Sequence, residues 1–542
     1  MAQRFSVRIK PLGGTSAKAD PADPSLWSQQ QDGSWVSMDV YDPVDATNGY
    51  NWDNVTSPGQ LRRIMGYANM SSYVTSDYSC QEYFTLDDGT NRNRIAVIGG
   101  VVHALPTTLA VGSIYEISAV HPGTTSTFPT VFQKTGLVSA IQYGAYAVIS
   151  DLTTTPYKWR HGDAYLSKLI QVGHEYKFKY LEQFHQRIIG AYSDQDNGNI
   201  DIRWTEALPS MTTLSFPASN QIYKPDNDIG ITGIKRMGDM ACLVYGRQSI
   251  HILDYQPDYA IPFSLYSQVS GTGTESHWSI IDTGNAHYFF DRDKGFVAYA
   301  GGRDYLVISD AVEPLLDTID QSSYGIIYGK LIPYSPEIVW AVPLNRSSYP
   351  NALLYYNTAT KQWRRSNIPT TAFLFDQIHS RYTFSQLGTA YGQWSSVTGQ
   401  FSSYQTTSNR MLFAVPGGAA VGKVYFRYMD GDNFNGSAFS AWRIEPIMFQ
   451  PDATKTKRIQ EIHFIGPTSG NFNIDVYWRT GQSEQEVNAA SWTGIGSASQ
   501  LSTGSQVLYM DQSGRFHQFK WGTDGADEGF KVSEIIIKGI AF

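Results

Sequence analysis

Short apolar runs alternate with polar turns along most of this chain. The fullest example is Arg187 to Trp204, in which an apolar run enters the turn Asp194-Gln-Asp-Asn-Gly198 and a second run leaves it. Ile231 to Leu253 repeats the pattern. Apolar residues of this spacing read as half-buried strands, and the Asp, Asn and Gly between them tolerate the positive φ of tight turns. The most apolar strand of each unit serves as an anchor. The anchors are Ala96–Ile98, Ala147–Ile149, Ile188–Ala191, Ala241–Val244, His287–Phe290, Val339–Val342 and Tyr382–Phe384. They lie about 41 to 53 residues apart, the period of a four-stranded propeller blade. Turns at Asp291–Gly295 and Asn357–Lys361 fit the same scheme, and the strand that follows often ends in a large ring: Trp204, Tyr299, Trp363, Trp394. Such rings suit packing between neighbouring blades.

The two ends differ. Residues 1–60 are rich in Pro, Asp, Gly and Ser, and only Phe5, Val7 and Ile9 alternate as a strand does. They read as an extended N-terminal arm that needs a surface to lie on. Past a boundary near 430–445, Ile474, Val476 and Trp478 alternate with Asn473, Asp475 and Tyr477, and His517, Phe519 and Trp521 alternate with Gln518 and Lys520. Further strands are expected at 443–449, 459–465 and 532–537. The expected fold is all-β: an arm over 1–60, a β-propeller of about seven blades over 61–435, and an antiparallel β-sandwich over 436–542. A hairpin over 410–428 either closes the ring or bridges to the sandwich.

Composition agrees with many short strands. Aromatics make up 14% of the 542 residues, and 48 glycines supply turns. A net charge of -8 argues against a basic nucleic-acid binder. The only cysteines, Cys80 and Cys242, cannot build a disulfide framework or a four-cysteine zinc site. The first ten residues lack the apolar core of a secretory leader, and no apolar run is long enough to span a bilayer. Assembly in a cytoplasm and no membrane span are the expectations.

Candidate chemistry is sparse. Gly271-Thr-Gly-Thr-Glu-Ser276 lacks the third glycine and the strand-to-helix setting of a dinucleotide loop. Asp194, Asp196, Asn197, Asn199 and Asp201 imitate a calcium loop without its helices or terminal Glu, and Asp430–Gly436 is similar; both read as turns. His161 with Asp163, and His174 with Glu175, read as surface pairs. His185, His251 and His287 read as structural groups in strand-like segments. Asp291, Asp293, Glu182 and Glu206 are the carboxylates a glycosidase reading would offer, yet they fall in turns or at strand ends. Tyr391, Trp394 and Trp492 suit a sugar groove or, better, packing. No catalytic, cofactor or metal residue is therefore assigned, and no enzyme is expected.

Arg187–Trp204, followed by Ala207–Ser210 and Phe216–Asn220, resembles a recurrent stretch of the tail nozzle proteins of short-tailed bacteriophages. Gly230–Asp239 with Ser249–Leu253, Ile280–Phe290 with Gly295–Tyr299, and Tyr355–Trp363 are similar to further blades of that family. The resemblance covers roughly 140–365. It implies a structural virion protein of the tail, forming a homohexameric ring below the portal and adaptor. Such a ring continues the DNA channel, retains the packaged genome and conducts it during ejection. The implied partners are the adaptor, tail fibre, spike or needle proteins, and double-stranded DNA passing without sequence-specific binding. The alternative is a receptor-binding or glycan-degrading tail protein on a propeller; a generic interaction platform is a third reading.

Overall fold

The computed structural model describes residues 79–105, 131–381, 405–415, 440–466, 473–499 and 505–542 apart from short breaks, and elsewhere isolated strands. The described chain is predominantly β, and its helices are short. Seven antiparallel sheets of four strands follow one another. The first holds Cys80–Asp87, Arg92–Ile98, Val101–Leu105 and Ser118–Ala119. The second holds Ser139–Tyr143, Tyr146–Ser150, Tyr157–Arg160 and Ser167–Lys168. The third holds Phe178–Phe184, Arg187–Ser193, Asp201–Trp204 and Gln221–Tyr223. Gly233–Met237, Ala241–Tyr245, Ser249–Tyr255 and Phe263–Ser270 form the fourth. Ile281–Asp282, His287–Asp291, Gly295–Tyr299 and Leu306–Val307 form the fifth. Tyr328–Leu331, Glu337–Val342, Ala352–Asn357 and Trp363–Ser366 form the sixth. The seventh joins Ala372–Arg381, Gln405–Val415 and Lys423–Met429 to Tyr67–Val74, taken from far upstream. The hairpin over 410–428 therefore belongs to this sheet and does not bridge onward.

Six of the seven anchors are the second strand of their sheet. A strand paired on both sides and covered on both faces has no solvent face, which is why Glu337–Val342 and Ala352–Asn357 are buried along their whole length. The seventh anchor, Tyr382–Phe384, lies outside the described residues, as do Asp430–Gly436 and Tyr391–Trp394. Tight hairpins set the registers. His185 and Gln186, both at positive φ, turn Phe184 back onto Arg187, so His185 sits in a turn and not in a strand. In the cassette turn Asn197 takes φ 60°. In the next two, Asp291 Oδ1 accepts the N–H groups of Asp293 and Lys294, and Asn357 Oδ1 those of Ala359 and Thr360.

The strand-ending rings fill the seams between sheets. Trp204 meets Phe263 of the fourth sheet edge-on at 5.0 Å, and Trp363 donates from Nε1 to the Ile308 carbonyl beside the fifth. Tyr299 is buried with Leu243, Tyr245 and Val269 of the fourth. The first strand of each sheet touches the first strand of the next, and Ala372–Arg381 of the seventh touches Cys80–Asp87 of the first. That last seam is ionic: Arg94 Nε lies 2.6 Å and Arg92 Nε 2.8 Å from the carboxylate of Asp376.

Both chain ends meet in a separate pair of sheets. Gln3–Ile9 is the strand that the alternation of Phe5, Val7 and Ile9 predicts; it pairs antiparallel with Glu534–Ala541 over its full length. Its Phe5 and Val7 are buried, which a free arm would leave in water. This sheet also holds Trp27–Gln29, Trp35–Ser37, Lys457–Ile465 and Ser505–Gly514. It shares one core with a five-stranded sheet containing Ala441–Ile444, Asn473–Gly481, Thr493–Ser499 and Phe516–Thr523, where Ile462, Phe464 and Ile537 pack with Val476, Phe519 and Trp521.

Two predictions follow from this packing. Asp376 is 0% and Arg94 4% exposed, whereas Arg92 is 43% exposed. Asp376→Ala is expected to cost about 3–5 kcal/mol in urea unfolding, and Arg92→Ala no more than about 1 kcal/mol; equal losses would contradict a buried seam. His517 is locked as a neutral tautomer: Nδ1 accepts from the Trp478 indole, a donor only, and Nε2 faces the Gly514 carbonyl. Burial lowers its pKa to about 4, while the unfolded chain protonates it near 6.5. The unfolded state then binds more protons, so stability is full above about pH 6.5 and falls toward pH 4, by roughly 3 kcal/mol from this group. His517→Gln should flatten that slope in denaturation midpoints measured from pH 7 to pH 4.5.

Candidate functional site

The first strands of neighbouring sheets touch, and their side chains carry a group of ionisable residues. Glu82 comes from the first sheet, Glu182 from the third, Lys235 from the fourth and Lys330 from the sixth. They fall into two ion pairs, Lys330 Nζ to Glu82 at 3.6 Å and Lys235 Nζ to Glu182 at 3.5 Å. The Tyr328 hydroxyl donates to Glu82 Oε1 at 2.5 Å. A cavity of about 290 Å³ opens among Glu82, Lys235, His277, Asp282, Tyr328 and Lys330. Lys330 thus lies deep in the fold, yet its side chain keeps 37% of its surface exposed, because it borders this space.

The electrostatics follow from crowding. Burial pushes the Lys330 ammonium below its ordinary pKa; Glu82 pulls it back up, and Lys235 pushes it further down. Burial, then Lys235, Lys330 and Lys179, hold His277 well below the usual imidazole range, so it is neutral at pH 7. Burial beside Glu82 raises the Tyr328 hydroxyl well above its ordinary value, which keeps it a donor. Next to His277, Trp278 reaches across from the turn before the fifth sheet to donate its indole N–H to the Val138 carbonyl before the second, at 3.0 Å.

The carboxylates singled out from the sequence do not form a catalytic pair. Glu182 lies within a buried first strand, not at a turn or strand end, and is held by Lys235. Asp291 is buried and consumed by its turn and by the Thr272 hydroxyl at 2.7 Å. Its neighbour Asp293 belongs to the same turn. Glu206 is exposed and accepts a long bond from Asn220. His161 faces Asn93, and Asp163 pairs with Arg160 instead of His161. The His174 and Tyr176 rings meet at a tilt with centroids 4.5 Å apart, and Glu175 lies 4.0 Å from Lys168. His251 and His287 are buried in strands, where His287 Nδ1 accepts from Tyr245 and Nε2 donates to the Arg236 carbonyl. Asp201 of the would-be calcium loop is buried and bound to Ser193, Arg203 and Gln221. Among the described residues no three His, Cys, Asp or Glu side chains gather as metal ligands, and no helix is long and apolar enough to cross a membrane. Trp492 lies under the Arg479 guanidinium. Glu82, Lys235, Tyr328 and Lys330 were missed by sequence reasoning. Glu82, Lys235 and Lys330 each stand third in the first strand of their sheet, a signal visible only once the strands are known.

No protein-family model matches the chain, and no curated protein matches it. Among solved structures, the computationally designed Ika8 protein is similar at 10% identity and a TM-score of 0.35, over 67% of this chain and 99% of its own.

The paired geometry predicts coupling. Glu82→Ala leaves Lys330 facing Lys235 without its counter-ion, and about 1–3 kcal/mol of stability should be lost, a range reduced for the water that reaches Lys330. Adding Lys330→Met to Glu82→Ala should recover most of that loss; additive losses in urea midpoints would show that the two side chains are independent.

Proposed function

We propose that this chain is a structural protein of a short-tailed phage virion, the subunit of a tail nozzle that conducts packaged DNA. In this reading the seven four-stranded sheets are the blades of a propeller closed by Tyr67–Val74, and the two terminal sheets form a β-sandwich. The observation that carries the structural role is the use made of the central charges: the lysines and glutamates there are spent on one another, and the buried Asp291 on its own turn. A catalytic acid or base needs a proton partner facing substrate; these groups face each other.

The resemblance of Arg187–Trp204 and its neighbours to nozzle blades supplies the particular role. The cavity at the middle of the sheets, about 290 Å³ and crossed by Trp278, bears on where DNA runs. A duplex whose major groove alone is about 12 Å wide cannot enter it. The channel is therefore formed between copies, six around one axis, with different faces of each subunit in contact. An acidic subunit limits adhesion to the passing phosphates. The adaptor above and fibre or needle proteins below are the partners, and the virion tail is the location.

Electron microscopy of the particle tests this. Six copies on the DNA axis below the portal are expected. Peripheral trimers, or hydrolysis of host glycans by the purified chain, would overturn it in favour of a receptor-binding or glycan-degrading tail protein.

A further inference from the structure

Around the cavity between the first strands, the lysines and glutamates balance in charge but not in hydrogen bonding. The carboxylates are already hydrogen-bonded. Glu82 Oε1 accepts from the Tyr328 hydroxyl at 2.5 Å and from the Tyr83 N–H at 3.1 Å. Asp282 accepts the N–H groups of Gly238 and Gly284. The donors are largely unspent. An ammonium carries three protons, and both ion pairs are long, 3.6 Å from Lys330 to Glu82 and 3.5 Å from Lys235 to Glu182. Among the described residues, neither lysine donates to any other group. Their side chains are 37% and 35% exposed, so a solute can reach both.

His277 adds a third donor. It is 7% exposed, and its ring lines the same cavity. Its Nδ1 accepts from the Ile234 N–H of the fourth sheet at 3.4 Å. The neutral imidazole then carries its proton on Nε2, at the other edge of the ring. Among the described residues nothing accepts from that Nε2, and an unpaired buried donor is costly. After burial, what lowers the pKa of His277 is the charge of Lys235, Lys330 and Lys179, all cations, so the potential there favours an anion.

The remaining walls are apolar. Trp278, Ile280 and Leu331 line the space, and the Trp278 N–H is spent on the Val138 carbonyl. The volume of about 290 Å³ is at the small end of ligand sites, with room for about ten non-hydrogen atoms.

We propose that this cavity binds a small monocarboxylate with an apolar body. The carboxylate is held by Lys235, Lys330 and the His277 Nε2–H, and the body lies against Trp278, Ile280 and Leu331. A single negative charge suits the site, because further ones would meet Glu82 and Asp282. A cation would face the lysines. Binding of this kind asks for no catalysis, so it goes beyond the structural role and does not rest on the ring reading.

Calorimetric titration of the full chain with benzoate tests this. Benzoate should bind with a Kd of about 1 mM or tighter. Benzamide, with the same shape and no charge, should bind at least about tenfold more weakly. So should inorganic phosphate, which has charge and no apolar body. Benzoate should also protect Lys235 and Lys330 of the wild type from acetylation by acetic anhydride, read by peptide mass spectrometry. Two double variants locate the site further: Glu82→Gln with Lys330→Met, and Glu182→Gln with Lys235→Met. Each removes one ammonium without stranding a buried carboxylate, and each leaves the net charge unchanged. Each should weaken benzoate binding at least about tenfold, with urea midpoints in the absence of benzoate reporting that it folds. A wild type that ignores benzoate, benzamide or phosphate binding as tightly as benzoate, unprotected lysines at saturation, or full affinity in a folded double variant would each overturn the proposal. A chain that forms the six-copy ring yet binds no benzoate would sink this site alone.

Discussion

The carboxylate of Asp376 sits between Arg92 and Arg94, and the arrangement of the seven sheets depends on it. Every other seam joins sheets that are neighbours in the chain, so short connections hold them together. This one joins the first sheet to the seventh, nearly three hundred residues apart. Closing so long a loop carries an entropy penalty that grows only slowly with length, so one buried, doubly held ion pair together with apolar contact can offset it. The apolar part is present too: Tyr83, Ala96 and Ile98 of the first sheet share a core with Phe373, Leu412 and Phe413 of the seventh. A buried charge pair is a poor source of net stability but a strong selector of geometry when one partner is useless without the other.

The same logic organises the middle of the molecule. First strands packed side by side leave a space that apolar side chains alone would fill at the expense of the outer spacing. Here Glu82, Lys235, Lys330, Asp282 and a neutral His277 line it together with Trp278. The two lysines and two glutamates each have a counter-charge within about 4 Å, so those groups can sit deep without the full penalty of isolated ions. The space between the first strands is thus polar and narrow.

Much of the repeat was legible because its signals are local. The turn at Asp194–Gly198 and the apolar strands around it need only neighbours in sequence to form, and the aromatic ends at Trp204 and Trp363 mark the seams they fill. What was not legible depends on distance in the chain. Nothing near Phe5 and Val7 says that their strand partners are Gly539 and Ile537. Nothing near Tyr67 says that its sheet is the seventh and not the first. Glu182 looked like a strand-end carboxylate because its lysine lies more than fifty residues away. His185 looked like a strand residue because a type I′ turn can be built from residues other than Asn and Gly when the flanking strands enforce it.

These long-range pairings share a consequence. The N-terminal segment is built into two places: its first strand lies between Glu534–Ala541 and Trp35–Ser37 in the terminal sheets, and Tyr67–Val74 completes the seventh sheet. Neither sheet can be finished until the other end of the chain has been made. Parallel local growth of the middle sheets is possible from contacts close in sequence, but closure waits for contacts that are hundreds of residues apart, the kind that slow folding most. Until then, the Lys423–Met429 strand and the Glu534–Ala541 strand have open edges that another chain could occupy. The N-terminal strands thus serve both regions: Gln3–Ile9 pairs in the terminal sheet and Tyr67–Val74 in the seventh.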